Sequence, residues 1–217
     1  METGKGATQQ NLQDGYQLAY TKACGELDGR KPEEVAAASG ADYDSAQGEF
    51  NLKYLNETYT VAYPGGAVAF ANRDDEVSVA TKIVIMHYLL TAGGLPVAGE
   101  QISFKELPGG TIYLEPFTNR VMRGFVGMFG KKAGMLLPAA EKLGGREVKL
   151  GSAAAVVLDM FPRLPLTYVI WEGDDEMPAN GTVLFDKTAQ YYLPTEDLVV
   201  VAAAGASLLG KTARAMV

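Results

Sequence analysis

The chain carries one histidine, one cysteine and one tryptophan, and these scarce residues bound its chemistry. His87 falls on the face that Val79, Ile83, Met86 and Leu90 would share on a helix over 78–92. A histidine there suits an axial metal ligand or a general base, because imidazole titrates near neutral pH. The structural alternative is a histidine that holds a backbone group. Ser-His-Asp or Cys-His catalysis would have to run through this one residue. A two-histidine metal motif is impossible within one chain, and Cys24 alone builds neither a disulfide, a zinc site nor an iron–sulfur cluster.

Carboxylates are the second chemical resource. Trp171-Glu172-Gly173-Asp174-Asp175-Glu176 sets four acids beside the tryptophan. Clustered carboxylates raise one another's pKa and attract hard cations. Asp174, Asp175 and Glu176 are therefore candidate metal ligands, and Glu172 and Asp175 candidate acid–base groups. The spacing does not match an EF-hand loop, and a solvated loop capping a strand is the plainer reading. Glu196 and Asp197 follow Thr195, a natural helix cap, where the macrodipole favours anions. Either could instead serve as a general acid or base at a cleft.

Arg163 stands between Pro162 and Pro165, which stiffen its backbone. Its guanidinium would hold a ligand carboxylate or pair with the 172–176 acids. Together, His87, Arg163 and Trp171 outline a cofactor pocket between the 78–92 helix and a 159–172 hairpin.

Gly205-Ala206-Ser207-Leu208-Leu209-Gly210-Lys211-Thr212 fits G-x-x-x-x-G-K-[ST]. A phosphate loop needs a strand before it and a helix after it. Only Ala213–Val217 follow, so the match reads as coincidence and no nucleotide is expected there.

The elements that must position these residues are legible from periodicity. Leu12, Tyr16, Ala19, Tyr20, Ala23 and Leu27 fall on one stripe of a helix over 10–28. Pro32 opens a second helix that Gly40 stops. Phe50, Leu52 and Tyr54 alternate with polar neighbours, as do Tyr59, Val61 and Tyr63, which predicts a hairpin turning at Asn56-Glu57. Ser78 caps the third helix. Residues 116–129 and 131–143 read as helical despite Gly124, Gly127 and Pro138. Ala153–Met160 and Leu166–Trp171 form a core hairpin, Thr182–Phe185 a further strand, and Thr195 caps a last helix to Leu209. Helices interleaved with hairpins predict an α+β fold with an antiparallel sheet. The expected organisation is a tail over 1–9, one domain over 10–210 and a tail over 211–217.

Bulk properties narrow the function. The 217 residues hold 26 acidic and 19 basic side chains, a formal net charge of −7. That balance opposes non-specific nucleic-acid binding, which needs a basic face. The longest apolar run, Leu198–Leu209, is shorter than the roughly 20 residues of a membrane span. METGKGATQQ lacks the apolar core of a secretory signal, so the cytoplasm is the expected compartment.

Five segments in order carry a family resemblance. They are Lys82–Leu90, Ser103–Gly110, Asp159–Pro165, Trp171–Asp174 and Tyr192–Leu198. The chain resembles, over roughly 10–210, the prokaryotic family catalogued as domain of unknown function 3786. The resemblance implies a cytoplasmic protein common in anaerobes, with cysteine-rich iron–sulfur segments in some relatives. This chain departs there, since one cysteine holds no cluster.

The leading expectation is a cofactor- or small-molecule-binding accessory protein of anaerobic metabolism, with a tetrapyrrole or corrinoid as its most specific form. The rivals are a carboxylate-based or Mg²⁺-assisted enzyme and a protein-interaction subunit. Its partner is therefore a small molecule or another protein. Neither a nucleic acid nor a membrane span is expected.

Overall fold

The computed structural model describes residues 3–216, with side chains from residue 15 onward. The fold is α+β, with antiparallel sheets and packed helices. The chain divides into two compact units. One comprises Met1–Lys53 and Glu57–Gly94, the other Tyr54–Asn56 and Leu95–Val217.

In the first unit, α1 (Thr3–Asp28) packs on α3 (Val79–Thr91), and α2 (Pro32–Ser39) packs on α3 as well. The first helix begins at Thr3, earlier than residue 10, and runs through Gly4 and Gly6 ahead of the apolar stripe. Met1 and Glu2 of the expected tail, and the Leu12 side chain, lie outside the described residues. The stripe is only partly used: Ala23 and Leu27 are buried, whereas Tyr16 is 48% exposed. Helix α2 starts on Pro32 and stops at Gly40, which takes the left-handed conformation expected of a C-terminal glycine. Ser78 caps α3 by accepting from the Thr81 amide at 3.2 Å.

The sheet of this unit runs β1 (Asp42–Asp44), β2 (Glu49–Tyr54), β3 (Glu57–Ala62), β4 (Val68–Phe70) in spatial order, all neighbours. Phe50, Leu52, Tyr59 and Val61 are buried, as period-two alternation predicts. The β2–β3 turn falls at Leu55-Asn56, one residue earlier than expected, with Leu55 at φ 57°. Two-residue hairpin turns require positive φ, and burying both apolar rows fixes that register.

The second sheet runs β5 (Gln101–Ser103), β9 (Asn180–Asp186), β8 (Leu164–Trp171), β7 (Ala154–Phe161), β6 (Arg146–Glu147) in spatial order. Strands β7 and β8 form the expected hairpin, with only Pro162 and Arg163 in the turn and a bulge between Asp159 and Phe161. Leu164, Leu166, Tyr168 and Ile170 share one face of β8 and are fully buried. Tyr168 meets the final helix, α7 (Thr195–Arg214): its hydroxyl donates to the Ala202 carbonyl at 2.9 Å.

Residues 114–129 are helical in three pieces: α4 (Leu114–Phe117), a π-helical turn (Thr118–Met122) and α5 (Arg123–Phe129). A 3₁₀ turn (Ala133–Met135) precedes α6 (Leu136–Glu141). Pro138 sits in the first turn of α6, where no intrahelical partner awaits its missing N–H.

Two expectations about α7 need correction. Pro194 takes the N-cap position, and Thr195, already helical, donates its hydroxyl to the Pro108 carbonyl at 2.6 Å. The helix also runs on through Arg214, past the expected end at Leu209, because Ala213 is buried and continues its apolar stripe. Of the expected tail after residue 210, Val217 lies outside the described residues.

Candidate functional site

The residues singled out by type are spread over several elements of both units. His87 lies half-buried on α3 in the first unit, and its carbonyl accepts from the Thr91 hydroxyl at 2.7 Å. Arg163 and Trp171 lie in the second unit. They flank β8 at opposite ends, eight residues or about 26 Å of extended chain apart. The same separation keeps Arg163 away from the 172–176 acids, so the pairing expected between them does not form. Neither unit by itself contains the pocket expected from His87, Arg163 and Trp171.

The acidic loop has its own local order. Asp174 accepts from the Glu176 amide at 2.9 Å and the Met177 amide at 2.7 Å. Those bonds hold its carboxyl below the usual aspartate range. Glu172, Asp175 and Glu176 are exposed. Among the described residues no group of three or more His, Cys, Asp or Glu is placed to hold a metal ion, which includes Asp174, Asp175 and Glu176.

Glu196 and Asp197 stand in the first turn of α7, where Glu196 accepts from the Tyr113 hydroxyl. That bond, with burial and the carboxylate charge behind it, pushes the Tyr113 phenol up. The acidic loop lies by the other end of the same helix. The Gly173 amide donates to the Gly130 carbonyl at 2.9 Å, and Met128 and Phe129 beside it share a cavity with Ala213 and Arg214. Twenty helical residues, about 30 Å, separate the two ends. Glu172 and Asp175 thus do not converge with Glu196 and Asp197.

The G-x-x-x-x-G-K-T segment lies wholly inside α7. Its amides belong to the helix ladder and form no phosphate cradle. Gly205 is there for packing: a β-carbon would meet the Tyr168 hydroxyl and stand 2.9 Å from its Cζ.

Small residues elsewhere on the same helix open a groove. Met128, Phe129, Lys132, Met135, Ala213 and Arg214 line a cavity of about 340 Å³. An adjoining cavity of about 270 Å³ shares Met128 and Arg214, and adds Arg120, Val121, Gly124, Phe125, Ala203, Ala206, Ser207 and Gly210. Gly124 on one wall and Ala203, Ala206 and Gly210 on the other bring no bulk, so α5 and α7 pack without filling the space between them. A β-carbon at Gly124 would touch nothing within 4 Å. Arg120 and Val121 reach the groove from the π-helical turn, a type of helix irregularity that recurs at functional sites.

The lining defines the chemistry. It offers aromatic, thioether and aliphatic surface, three cations and one hydroxyl. It holds no carboxylate, imidazole, thiol or phenol, hence no general acid or base for work near neutral pH. The acidic loop adds no lining side chain. Sequence reasoning noted Gly124, Ala206, Ser207 and Gly210 for other reasons and assigned no residue of this groove to a site. The one available signal was Gly124 and Gly127 inside a helical pattern, which usually means close packing or vacated space.

A second polar feature is structural. Asp186, 5% exposed at the end of β9, accepts from the amides of Ala98, Gly99 and Thr188 and from the Thr188 hydroxyl, at 2.6–3.1 Å. It ties the 95–100 segment to the sheet beside a cavity of about 130 Å³.

The fold is thus that of an α+β protein with a groove between two helices. The chain belongs to the family described as a domain of unknown function, DUF3786, whose model matches residues 31–207. No curated protein and no solved structure matches the chain. No helix among the described residues is long and apolar enough to cross a membrane.

Proposed function

We propose that this chain is a small-molecule-binding accessory protein whose ligand lies between α5 and α7. The observation that carries the reading is the pair of adjoining cavities, the first lined mainly by apolar surface and the second by apolar and polar surface in similar measure, with no acid–base pair. Their combined size falls in the usual range for ligand sites, about 300–1,000 Å³. A carboxylate-based or Mg²⁺-assisted enzyme gains no support, since the candidate acids stand at opposite ends of α7. A tetrapyrrole or corrinoid fits as an apolar body with acidic side groups. The axial contact from His87 finds no support in the groove, because His87 is not among its lining residues.

The test is a fluorescence titration with the neutral apolar dye Nile red. The wild-type chain binds the dye, and Gly124→Leu weakens binding at least tenfold by filling the groove. Helix propensity favours Leu over Gly by about 1 kcal/mol, so the variant stays folded. Equal binding by both proteins, or none by the wild type, would overturn the reading.

A further inference from the structure

The charge at the groove runs against the charge of the chain. The protein carries −7 overall, yet the charged side chains of the groove are Arg120, Lys132 and Arg214, all positive. Lys22, Lys31, Arg73, Arg146 and Lys187 engage in ion pairs with carboxylates elsewhere on the chain. None of the three groove cations has a described partner. Arg214 has a local reason for its position, since the last turn of a helix favours a cation. Arg120 has none, for it stands in mid-helix in the π-helical turn. All three are exposed, so solvent screens their mutual repulsion, and an anion seated in the groove would be attracted by each of them.

We infer that the ligand of the α5–α7 groove is an amphiphilic anion: an apolar body against Phe125, Met128, Phe129 and Met135, with a carboxylate or phosphate head held by Arg120, Lys132 and Arg214. The inference rests on the groove being the binding site and adds the chemistry of its occupant. Guanidinium groups suit both heads, because their planar fork of donors matches two oxygens at once. The apolar floor excludes a simple inorganic anion as the preferred ligand, since most of the buried surface would gain nothing from it.

Displacement of bound Nile red separates the two layers of the argument. Four competitors share one chain length: decanoate, decyl phosphate, decanol and decyltrimethylammonium. At least one of the two anions displaces the dye at a concentration about tenfold below decanol, and the cation is weakest. Whichever anion is tighter identifies the head group. The double variant Arg120→Gln/Arg214→Gln loses that advantage, roughly threefold for each charge at such exposed positions, so that the anions and decanol then displace the dye at similar concentrations. Displacement by decanol and both anions at equal concentration would overturn the anion inference and leave the groove standing. So would an anion preference that survives in the double variant. Absence of Nile red binding to the wild type would overturn both.

Discussion

Gly205 of α7 packs against the phenolic end of Tyr168, a fully buried residue in the middle of β8. A β-carbon at position 205 would meet the phenolic oxygen and stand 2.9 Å from Cζ. The hydroxyl itself donates to the Ala202 carbonyl three residues earlier on the helix. Burial drives its pKa well above the ordinary tyrosine value. One glycine and one tyrosine thus set how closely the last helix approaches the sheet.

Gly205→Ala should therefore cost about 2–3 kcal/mol, the range for overpacking a tight core. Tyr168→Phe should cost about 1 kcal/mol for the lost hydrogen bond. The two effects should be non-additive, because Phe removes the atom nearest the new methyl group. Urea unfolding of the two single variants and the double variant measures this, and strict additivity would refute the contact.

Gly210, the other glycine of the G-x-x-x-x-G-K-T segment, should respond in the opposite direction. A β-carbon there would find Met128 at 3.7–3.8 Å, an ordinary contact. Gly210→Ala should stabilise the chain by about 0.5–1 kcal/mol through helix propensity. A phosphate loop would penalise both substitutions through lost nucleotide binding. Thermal melts of the two variants, with and without ATP, distinguish the cases, and an ATP-dependent rise in Tm would restore the nucleotide reading.

Asp186 should make the protein acid-sensitive. Burial is the largest single influence and raises its pKa, but the hydrogen bonds from Thr188, Ala98 and Gly99 together outweigh it and leave the value lowered. A lowered folded pKa means stabilisation that is fully present above the unfolded value, about 3.9, and is lost as pH falls through the folded value. Asp186→Asn should cost about 2 kcal/mol at pH 7, by weakening bonds to a charged acceptor. It should also flatten the loss of stability below about pH 4. Unfolding curves at pH 3, 4 and 7 for both proteins check the sign.

His87→Ala should leave the groove untouched. The dye and decanoate titrations should match the wild type within about twofold, since His87 is not among the lining residues of the groove. A visible absorption band on protein purified anaerobically from its own host, lost in His87→Ala, would return belief to an axial histidine. It would move the ligand site away from the groove.

The expected elements followed from signals that act over a few residues. Ser78 reaches the Thr81 amide one turn away, Pro32 and Gly40 bracket α2, and Phe50, Leu52 and Tyr54 alternate because a pleated strand has two faces. Such features depend on backbone geometry and on which side chains avoid water, so the order of residues alone determined them, along with the α+β class. The boundary errors at Thr195 and the Leu55-Asn56 turn arose where packing partners choose between nearly equal local options.

The site was different. Arg120, Lys132 and Arg214 share no motif, and their spacing along the chain predicts nothing. They become neighbours only when α5 and α7 pack side by side and the small residues Gly124, Ala203, Ala206 and Gly210 leave a space unfilled. Conversely, four carboxylates bunched in sequence turned out to be a solvated loop, and Glu196 lies at the far end of the helix from them. Proximity along the chain is a covalent fact that residue order records. Proximity in space between distant segments is a product of core packing, and only the tertiary structure decided it.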